Sequence, residues 1–166
     1  MTGGMGDGGG CHPRDNIALS HLSQKLNLSY DWFDSIMMQR EKQSEWLANI
    51  VIENSTNRQI NLLGKTFKPE TNLLLGSPSI LLKNLLEEKN CKVFSWDPYI
   101  DQPYDKISSS MNWDNQEIKH TFFIGTKHPD FIKFKFPKDS IIIDPFRYIY
   151  EVVDSKVIRI GDNTNR

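Results

Sequence analysis

The chain has 166 residues, of which 38% are hydrophobic and 25% are charged, and this composition excludes a disordered or low-complexity protein. The 20 basic and 21 acidic residues nearly cancel, so no excess of positive charge indicates a nucleic-acid or anionic-membrane partner. Two cysteines, four scattered histidines and aliphatic runs far shorter than a membrane span predict a cytoplasmic globular protein with no disulfide framework, metal site or transmembrane segment.

The amino-terminal third of the sequence predicts a glycine-rich loop followed by two helices. Residues 1–10 contain six glycines, which disfavours a helix or a strand interior. Pro13 and the polar residues after it are typical of a helix start, and the apolar spacing predicts a helix over about 14–27. A longer helix is predicted over about 31–53, with apolar ends and a polar middle. Such a helix packs either against a second copy of itself or across its own domain.

The rest of the chain alternates between short aliphatic runs and an amphipathic helix predicted over 78–89. The predicted strands are Ile60–Leu63, Lys92–Trp96, His120–Ile124, Ser140–Ile143 and Val157–Ile160. Aliphatic runs that stop at Gly or Asp-Pro indicate an α/β fold with a buried parallel sheet. Ligands of such sheets bind beyond the carboxyl ends of the strands, which here are followed by residues 64–71, 97–99, 125–130 and 144–148.

Two short strings match phosphate-binding motifs but lack their context. Gly4, Gly6 and Gly9 have the spacing of a dinucleotide fingerprint, yet no strand precedes them. Gly64-Lys65-Thr66 resembles the end of a P-loop, but Gln59 stands where the first glycine of that motif is required. Neither string therefore predicts a nucleotide site.

Cys11 is a candidate nucleophile because it lies between a glycine run and a predicted helix start. Backbone amides at a helix amino terminus and the nearby Arg14 favour a thiolate, and the flanking glycines let a substrate approach closely. The alternative is a small residue in a loop. Cys91, at the entry of a predicted strand, is expected to be packed.

Two cations follow predicted strands on the expected ligand side of the sheet. Lys68, within Phe67-Lys68-Pro69-Glu70-Thr71, suits a phosphate or a hydroxyl group, and Arg147 suits bidentate recognition of a phosphate or carboxylate. The alternatives are a solvated lysine and a surface salt bridge.

These segments together resemble the UDP-glucose/GDP-mannose dehydrogenase family, the nucleotide-sugar 6-dehydrogenases. The resemblance rests on four ordered motifs that span nearly the whole chain. They are Gly9-Gly10-Cys11-His12-Pro13-Arg14-Asp15, the segment 63–71 with Ser77-Pro78 after it, Asp97-Pro98-Tyr99, and the late loop with Asp144 and Arg147.

The resemblance implies the carboxyl-terminal portion of such an enzyme, without its NAD-binding Rossmann domain. It divides the chain into the cysteine loop and central dimerisation helices (residues 1–55) and a Rossmann-like UDP-sugar-binding domain (residues 56–166). The implied partners are a UDP-sugar and a homodimer through the central helix, or a separate Rossmann-domain chain.

The implied reaction oxidises the C6 alcohol of a UDP-sugar twice, with NAD, to the uronic acid through a cysteine thiohemiacetal and a thioester. Cys11 is then the nucleophile, and Asp15 organises the proton or water chemistry near it. Gly9, Gly10, Phe67 and Lys68 contact the substrate, and Arg147 contacts a substrate held by the same or the neighbouring subunit.

The sequence departs from the family pattern at three places. Arg14 replaces the usual lysine, Leu75 stands where the family has an arginine, and the arginine of the late loop is displaced by one position. We expect the chain to be inactive alone. The alternatives are a stand-alone nucleotide-sugar-binding or dimerisation module, a split-gene subunit, and a remnant without activity.

Overall fold

The fold is an α/β arrangement of three helices and a parallel sheet in a computed structural model that describes residues 5–6, 9–101, 111, 113, 115–150 and 152–161. Its helices are α1 (Cys11–Lys25), α2 (Trp32–Glu53) and α3 (Pro78–Glu88), with a short 3-10 helix at Pro129–Lys133. Its strands are β1 (Gln59–Leu63), β2 (Val93–Trp96), β3 (His120–Ile124), β4 (Ile141–Asp144) and β5 (Lys156–Arg159). The predicted α/β class and parallel sheet are confirmed.

The strand order β2-β1-β3-β4-β5 places a change of winding direction beside β1. Every pairing among these strands is parallel, and Leu63 at the end of β1 is aligned with Trp96 of β2 and Ile124 of β3. The chain moves to one side of β1 to form β2 and then returns to the other side to form β3. In open α/β sheets loops diverge at such a point, and ligands bind there, beyond the carboxyl ends of the strands.

Apolar side chains cover both faces of the sheet, as alternation along buried strands requires. One face packs against α2 and α3 through Leu47, Ala48, Val51, Ile60, Leu62, Leu82, Leu86, Phe123 and Ile143. The other face is aromatic and includes Leu63, Trp96, Trp113, Phe122, Ile124, Phe131, Ile142, Tyr148 and Ile149. The second half of α2 thus shares a core with the sheet, and the predicted division at residue 55 stays a prediction.

Helix α1 begins at Cys11, three residues earlier than predicted. Pro13 lies inside its first turn, where a missing N–H costs nothing because the first amides of a helix have no acceptor in the helix. Asp31 caps α2 by accepting hydrogen bonds from the amides of Phe33 and Asp34. The Asp31 carboxylate also accepts a hydrogen bond from the hydroxyl of Ser20. This hydrogen bond and those from the two backbone amides lower the pKa of Asp31.

The apolar residues that predicted α1 are exposed, because this helix packs on its neighbour through two serines. Ser20 and Ser23 are the buried residues of α1, whereas Ile17, Leu22 and Leu26 are 59%, 46% and 60% exposed. Trp32 at the start of α2 is 69% exposed. Within the described residues, none of the helices is long and apolar enough to cross a membrane.

Candidate functional site

Two glycines bring the ends of β1 and β3 against the start of α3. A Cβ atom on Gly125 would lie 2.1 Å from the Oγ of Ser79, and one on Gly64 would lie 2.6 Å from the Cβ of Thr126. Gly64 also has a φ of +90°, which side-chain-bearing residues rarely adopt. Ser79 completes the contact by donating a hydrogen bond to the carbonyl of Gly64. The loops after β1 and β3 therefore emerge side by side at the carboxyl edge of the sheet.

The glycine loop before α1 packs directly on the loop that follows β1. The amide of Gly9 donates to the carbonyl of Gly76 at 3.0 Å, and a Cβ atom on Gly9 would lie 3.3 Å from the ring of Phe67. A Cβ atom on Gly10 would lie 3.1 Å from Leu75. Cys11 follows as the first residue of α1, with its side chain exposed. The structure thus brings the predicted cysteine loop and the predicted Phe67–Lys68 loop together.

Lys68 is exposed at this edge, and its ammonium nitrogen lies 5.3 Å from the centre of the Phe67 ring. The same ring contacts the position of Gly9, so one aromatic side chain joins the lysine to the cysteine loop. The substrate-binding roles of Gly9, Gly10, Phe67 and Lys68 stay predictions, but their proximity is a feature of the fold.

Arg14 is paired with Asp15 next to Cys11. The guanidinium lies 2.9 Å from the Asp15 carboxylate, and both side chains are exposed. This hydrogen bond, the charge of Asp15 and the negative charge of a Cys11 thiolate raise the pKa of Arg14. The guanidinium is therefore within electrostatic reach of the cysteine sulfur. The predicted catalytic role of Asp15 stays a prediction.

Asp144 organises the loop that carries Arg147. Its buried carboxylate accepts hydrogen bonds from the amides of residues 146, 147, 148 and 149, at 2.7–3.0 Å. Arg147 has a φ of +56°, and its Nε donates to the carbonyl of Ile160 at 2.9 Å. The guanidinium is thus bound beside the end of β5, which β3 and β4 separate from β1. Arg147 follows a strand as predicted, but this contact does not join it to Lys68.

A buried polar network that the sequence analysis did not assign ties together the loops after β1, β2 and β3. The Oδ2 of Asp97 accepts hydrogen bonds from the amides of Lys65, at 2.6 Å, and Thr66, at 3.1 Å. It also lies 3.2 Å from the Nε2 of His128, and both side chains are fully buried. The signal in the sequence was an aspartate directly after one buried strand and a histidine four residues after another.

Burial opposes ionisation of Asp97, but its hydrogen bonds outweigh this effect. The bonds from His128 and from the amides of Lys65, Tyr99 and Thr66 together lower the pKa of the Asp97 carboxyl. The amides at the end of β1 are therefore already bound to an internal carboxylate. They are not available to a phosphate, although the end of the first strand is where a dinucleotide fold binds one.

The opposite, amino edge of the sheet contains a cavity of about 560 Å³ lined in part by Trp113, Lys135 and Lys138. It contains none of the predicted site residues. Among the described residues, no group of three or more His, Cys, Asp or Glu side chains could hold a metal ion.

Comparison with curated proteins identifies nucleotide-sugar dehydrogenases as relatives. No family model matches the chain. A GDP-mannose 6-dehydrogenase of Pseudomonas putida is 29% identical over 131 residues, which is 71% of this chain and 30% of that protein. A UDP-glucose 6-dehydrogenase of Bacillus subtilis is 27% identical over 101 residues, or 59% of this chain and 22% of that protein. A UDP-glucose 6-dehydrogenase of Rickettsia conorii is 22% identical over an alignment of 191 positions. That alignment covers 95% of this chain and 43% of that protein.

Solved structures of the same class share the fold. A UDP-glucose dehydrogenase from Pyrobaculum islandicum matches 94% of this chain with a TM-score of 0.72 and 20% identity, over 38% of its own length. A GDP-mannose dehydrogenase from Pseudomonas aeruginosa matches 95% of this chain with a TM-score of 0.66 and 18% identity, over 40% of its own length. The chain therefore spans between 22% and 43% of the length of each of these relatives and structures.

Proposed function

We propose that this chain, whose homologues are UDP-glucose and GDP-mannose 6-dehydrogenases, is the nucleotide-sugar-binding and thiol-bearing part of such an oxidoreductase. The relatives support the reaction class. The roles of individual residues are our proposal, since the chain spans between 22% and 43% of these curated relatives.

The observation that carries this proposal is the contact between the cysteine loop and the loop after β1. A nucleophile must lie within reach of the group that binds its substrate. Gly9 meets the ring of Phe67, Lys68 follows that ring, and Cys11 begins α1 two residues after Gly9. The sugar end of a ligand held at Lys68 can therefore extend toward the Cys11 thiol.

Cys11 supplies covalent chemistry in this proposal. Its thiolate adds to the C6 aldehyde of the sugar, so a sulfur–carbon bond forms and the carbonyl electron pair moves to oxygen, which takes up a proton. Conversion of this thiohemiacetal to a thioester would release its hydroxyl proton and pass the C6 hydride to NAD, which the described residues do not hold. Water then adds to the thioester carbonyl carbon and the sulfur leaves as the thiol, releasing the acid. Cys11 is exposed as the first residue of α1, so its sulfur is accessible to a substrate.

The described residues do not fit NAD. The amides of Lys65 and Thr66, which follow β1, are bound to the carboxylate of Asp97. Gly9, just before α1, packs on Gly76 and Phe67. We therefore assign no hydride-transfer step to these residues. In this proposal NAD is bound by residues outside the described part, in the same or a separate polypeptide.

Calorimetry with UDP-glucose tests the binding function. We expect Lys68→Ala to lose one charge-assisted contact with the diphosphate, worth about 1.5–3 kcal/mol, which weakens the affinity roughly 10- to 150-fold. Lys138→Ala is the matched control, because Lys138 is 70% exposed and lies 3.8 Å from Asp154, away from the carboxyl edge. An equal loss of UDP-glucose affinity in the two variants, or no binding of UDP-glucose by the unmodified chain, would contradict the proposal.

The exposed apolar residues of α1 and α2 favour a second copy of this chain as the protein partner. Ile17, Leu26 and Trp32 are each more than half exposed, although a helix normally buries such residues. A homodimer formed through this surface removes these apolar side chains from water, to which they are exposed in the monomer. This observation also supports the alternative of a binding and dimerisation module that acts with a separate NAD-binding chain.

A further inference from the structure

His128 lies fully buried where the loops after β1, β2 and β3 meet. Its Nδ1 is 3.3 Å from the amide of Glu70, in the loop after β1. Its Nε2 is 3.2 Å from the Oδ2 of Asp97, after β2, and 3.1 Å from the Oγ1 of Thr66. One imidazole therefore contacts the start of the loop after β1, at Thr66, its middle, at Glu70, and the carboxylate that organises it.

These contacts determine the tautomer of His128. An amide N–H is only a donor, so the bond from Glu70 requires an unprotonated Nδ1. The remaining proton of a neutral imidazole is then on Nε2, where it is donated toward Asp97. A proton on Nδ1 would place two donors face to face at Glu70.

Aromatic packing holds the His128 ring in this position. The ring of Tyr99 stacks on the imidazole with centroids 5.0 Å apart and planes 16° apart. Phe131 packs edge-on at 5.4 Å, and the hydroxyl of Tyr148 donates to the backbone carbonyl of His128 at 3.1 Å. The imidazole is therefore a fixed point that the loop after β1 contacts.

The loop from Phe67 to Leu73 depends on this fixed point. The amide of Phe67 donates to the carbonyl of Leu73, so the segment closes on itself. Lys68 and Glu70 are exposed, and Glu70 has a φ of +58°, a conformation that costs free energy in a residue with a side chain. The bond to His128 stabilises that backbone conformation two residues after Lys68.

We propose that His128 is a positioning residue that holds the Phe67–Lys68 segment in place through the amide of Glu70, and that nucleotide-sugar affinity depends on it. The proposal rests on the function proposed above. In this proposal the fully buried His128 acts through the loop, with Asp97 selecting the tautomer that can accept from Glu70.

The experiment compares His128→Asn with His128→Gln in the complete chain. An asparagine places an oxygen near the Nδ1 position, where it can accept from Glu70, whereas a glutamine extends toward Asp97 and leaves the Glu70 amide without that acceptor. Amide exchange of Glu70, measured by NMR, is compared with exchange in β1 and β3, which reports whether each variant remains folded. Titration with UDP-glucose follows on the same samples.

We expect the unmodified chain to show its imidazole proton on Nε2 in long-range ¹H–¹⁵N spectra at neutral pH. We expect Glu70 exchange to accelerate roughly 2- to 12-fold in His128→Gln, with core strands unchanged, and to stay near the original rate in His128→Asn. UDP-glucose affinity should fall roughly tenfold in His128→Gln and recover in His128→Asn.

Other results separate the two proposals. A proton on Nδ1, an unchanged Glu70 rate in His128→Gln, or equal UDP-glucose affinities in both variants and the unmodified chain would overturn the role of His128. An unmodified chain that fails to bind UDP-glucose while Glu70 exchange responds as expected would overturn the proposed function instead.

Discussion

Replacing Asp97 tests whether the site is organised by an internal carboxylate. The Asp97 carboxylate is fully buried and accepts from the amides of Lys65, Thr66 and Tyr99 at 2.6, 3.1 and 2.9 Å. It also lies 3.2 Å from the Nε2 of His128. A hydrogen bond to a charged group contributes about 1.5–3 kcal/mol, and these contributions are not additive because water enters the space left by a deleted side chain.

We expect Asp97→Asn to lower the free energy of unfolding by about 2–3 kcal/mol and Asp97→Ala by about 3–5 kcal/mol. Asparagine keeps one acceptor oxygen, but its amide group then faces a backbone N–H and the charge is lost. Urea unfolding at neutral pH, followed by circular dichroism, measures both values. Asp154→Asn is the control, because Asp154 is 58% exposed and a surface pair with Lys138 contributes no more than about 1 kcal/mol.

The pH dependence supplies a second measurement with a defined sign. The folded-state pKa of Asp97 is lowered, so its stabilisation is fully present above its ordinary pKa of about 3.9 and is lost as the pH falls through the folded value. The difference in stability between the original chain and Asp97→Asn should therefore be largest near neutral pH and shrink below about pH 4. A difference that stays constant from pH 7 down to about pH 2.5, or an Asn variant as stable as the control, would refute this reasoning.

Three further predictions concern the cysteine, the dimer and the loop contact. At neutral pH iodoacetamide should alkylate Cys11, which is exposed, roughly tenfold faster than the half-buried Cys91, measured by mass spectrometry. Sedimentation at tens of micromolar should show a homodimer that Trp32→Glu dissociates, because a charge would enter the apolar interface. Gly76→Ala should lower the free energy of unfolding by about 2–4 kcal/mol in urea, because it combines an unfavourable positive φ with a steric clash. The Cβ atom that it adds would lie 2.3 Å from the carbonyl carbon of Gly9.

Controls isolate the cause of each effect. Gly161→Ala shares the positive φ of Gly76, but its added Cβ meets only the flexible end of Arg147, so a cost as large as that of Gly76→Ala would contradict the loop contact. Val153→Glu changes a residue that is 87% exposed outside α1 and α2, and it should leave the dimer intact. Alkylation of Cys11 no faster than that of the half-buried cysteine would contradict an activated thiol.

The strands could be predicted from the sequence because buried parallel strands have a local signature. The run 141–143, for example, is aliphatic and ends before Asp144-Pro145, and the structure forms β4 there. The carboxyl edge as ligand side follows from the same pattern, since all parallel strands end at one edge. The predicted start of α1 was three residues too late. Proline is acceptable anywhere in the first turn of a helix, so the local pattern around Pro13 cannot determine at which residue the helix begins.

The partners of the polar groups, in contrast, were decided only by the tertiary structure. Asp97 and His128 are 31 residues apart, and His128 and Glu70 are 58 apart. These contacts exist because β1 lies between β2 and β3 in the sheet, so the three loops that follow those strands converge. Strand order depends on the packing of the whole sheet, and no local pattern in the sequence encodes it.

The same distinction applies to α1 and to Arg147. The spacing of Ile17, Leu22 and Leu26 indicated a helix, but only the packing of Ser20 and Ser23 against α2 shows that the apolar residues remain exposed. The regular spacing of apolar residues along a helix gives that helix an apolar face, and the neighbouring elements determine whether that face is buried. For Arg147 likewise, the sequence located the residue after a strand, and the fold directed its guanidinium to the carbonyl at the end of β5.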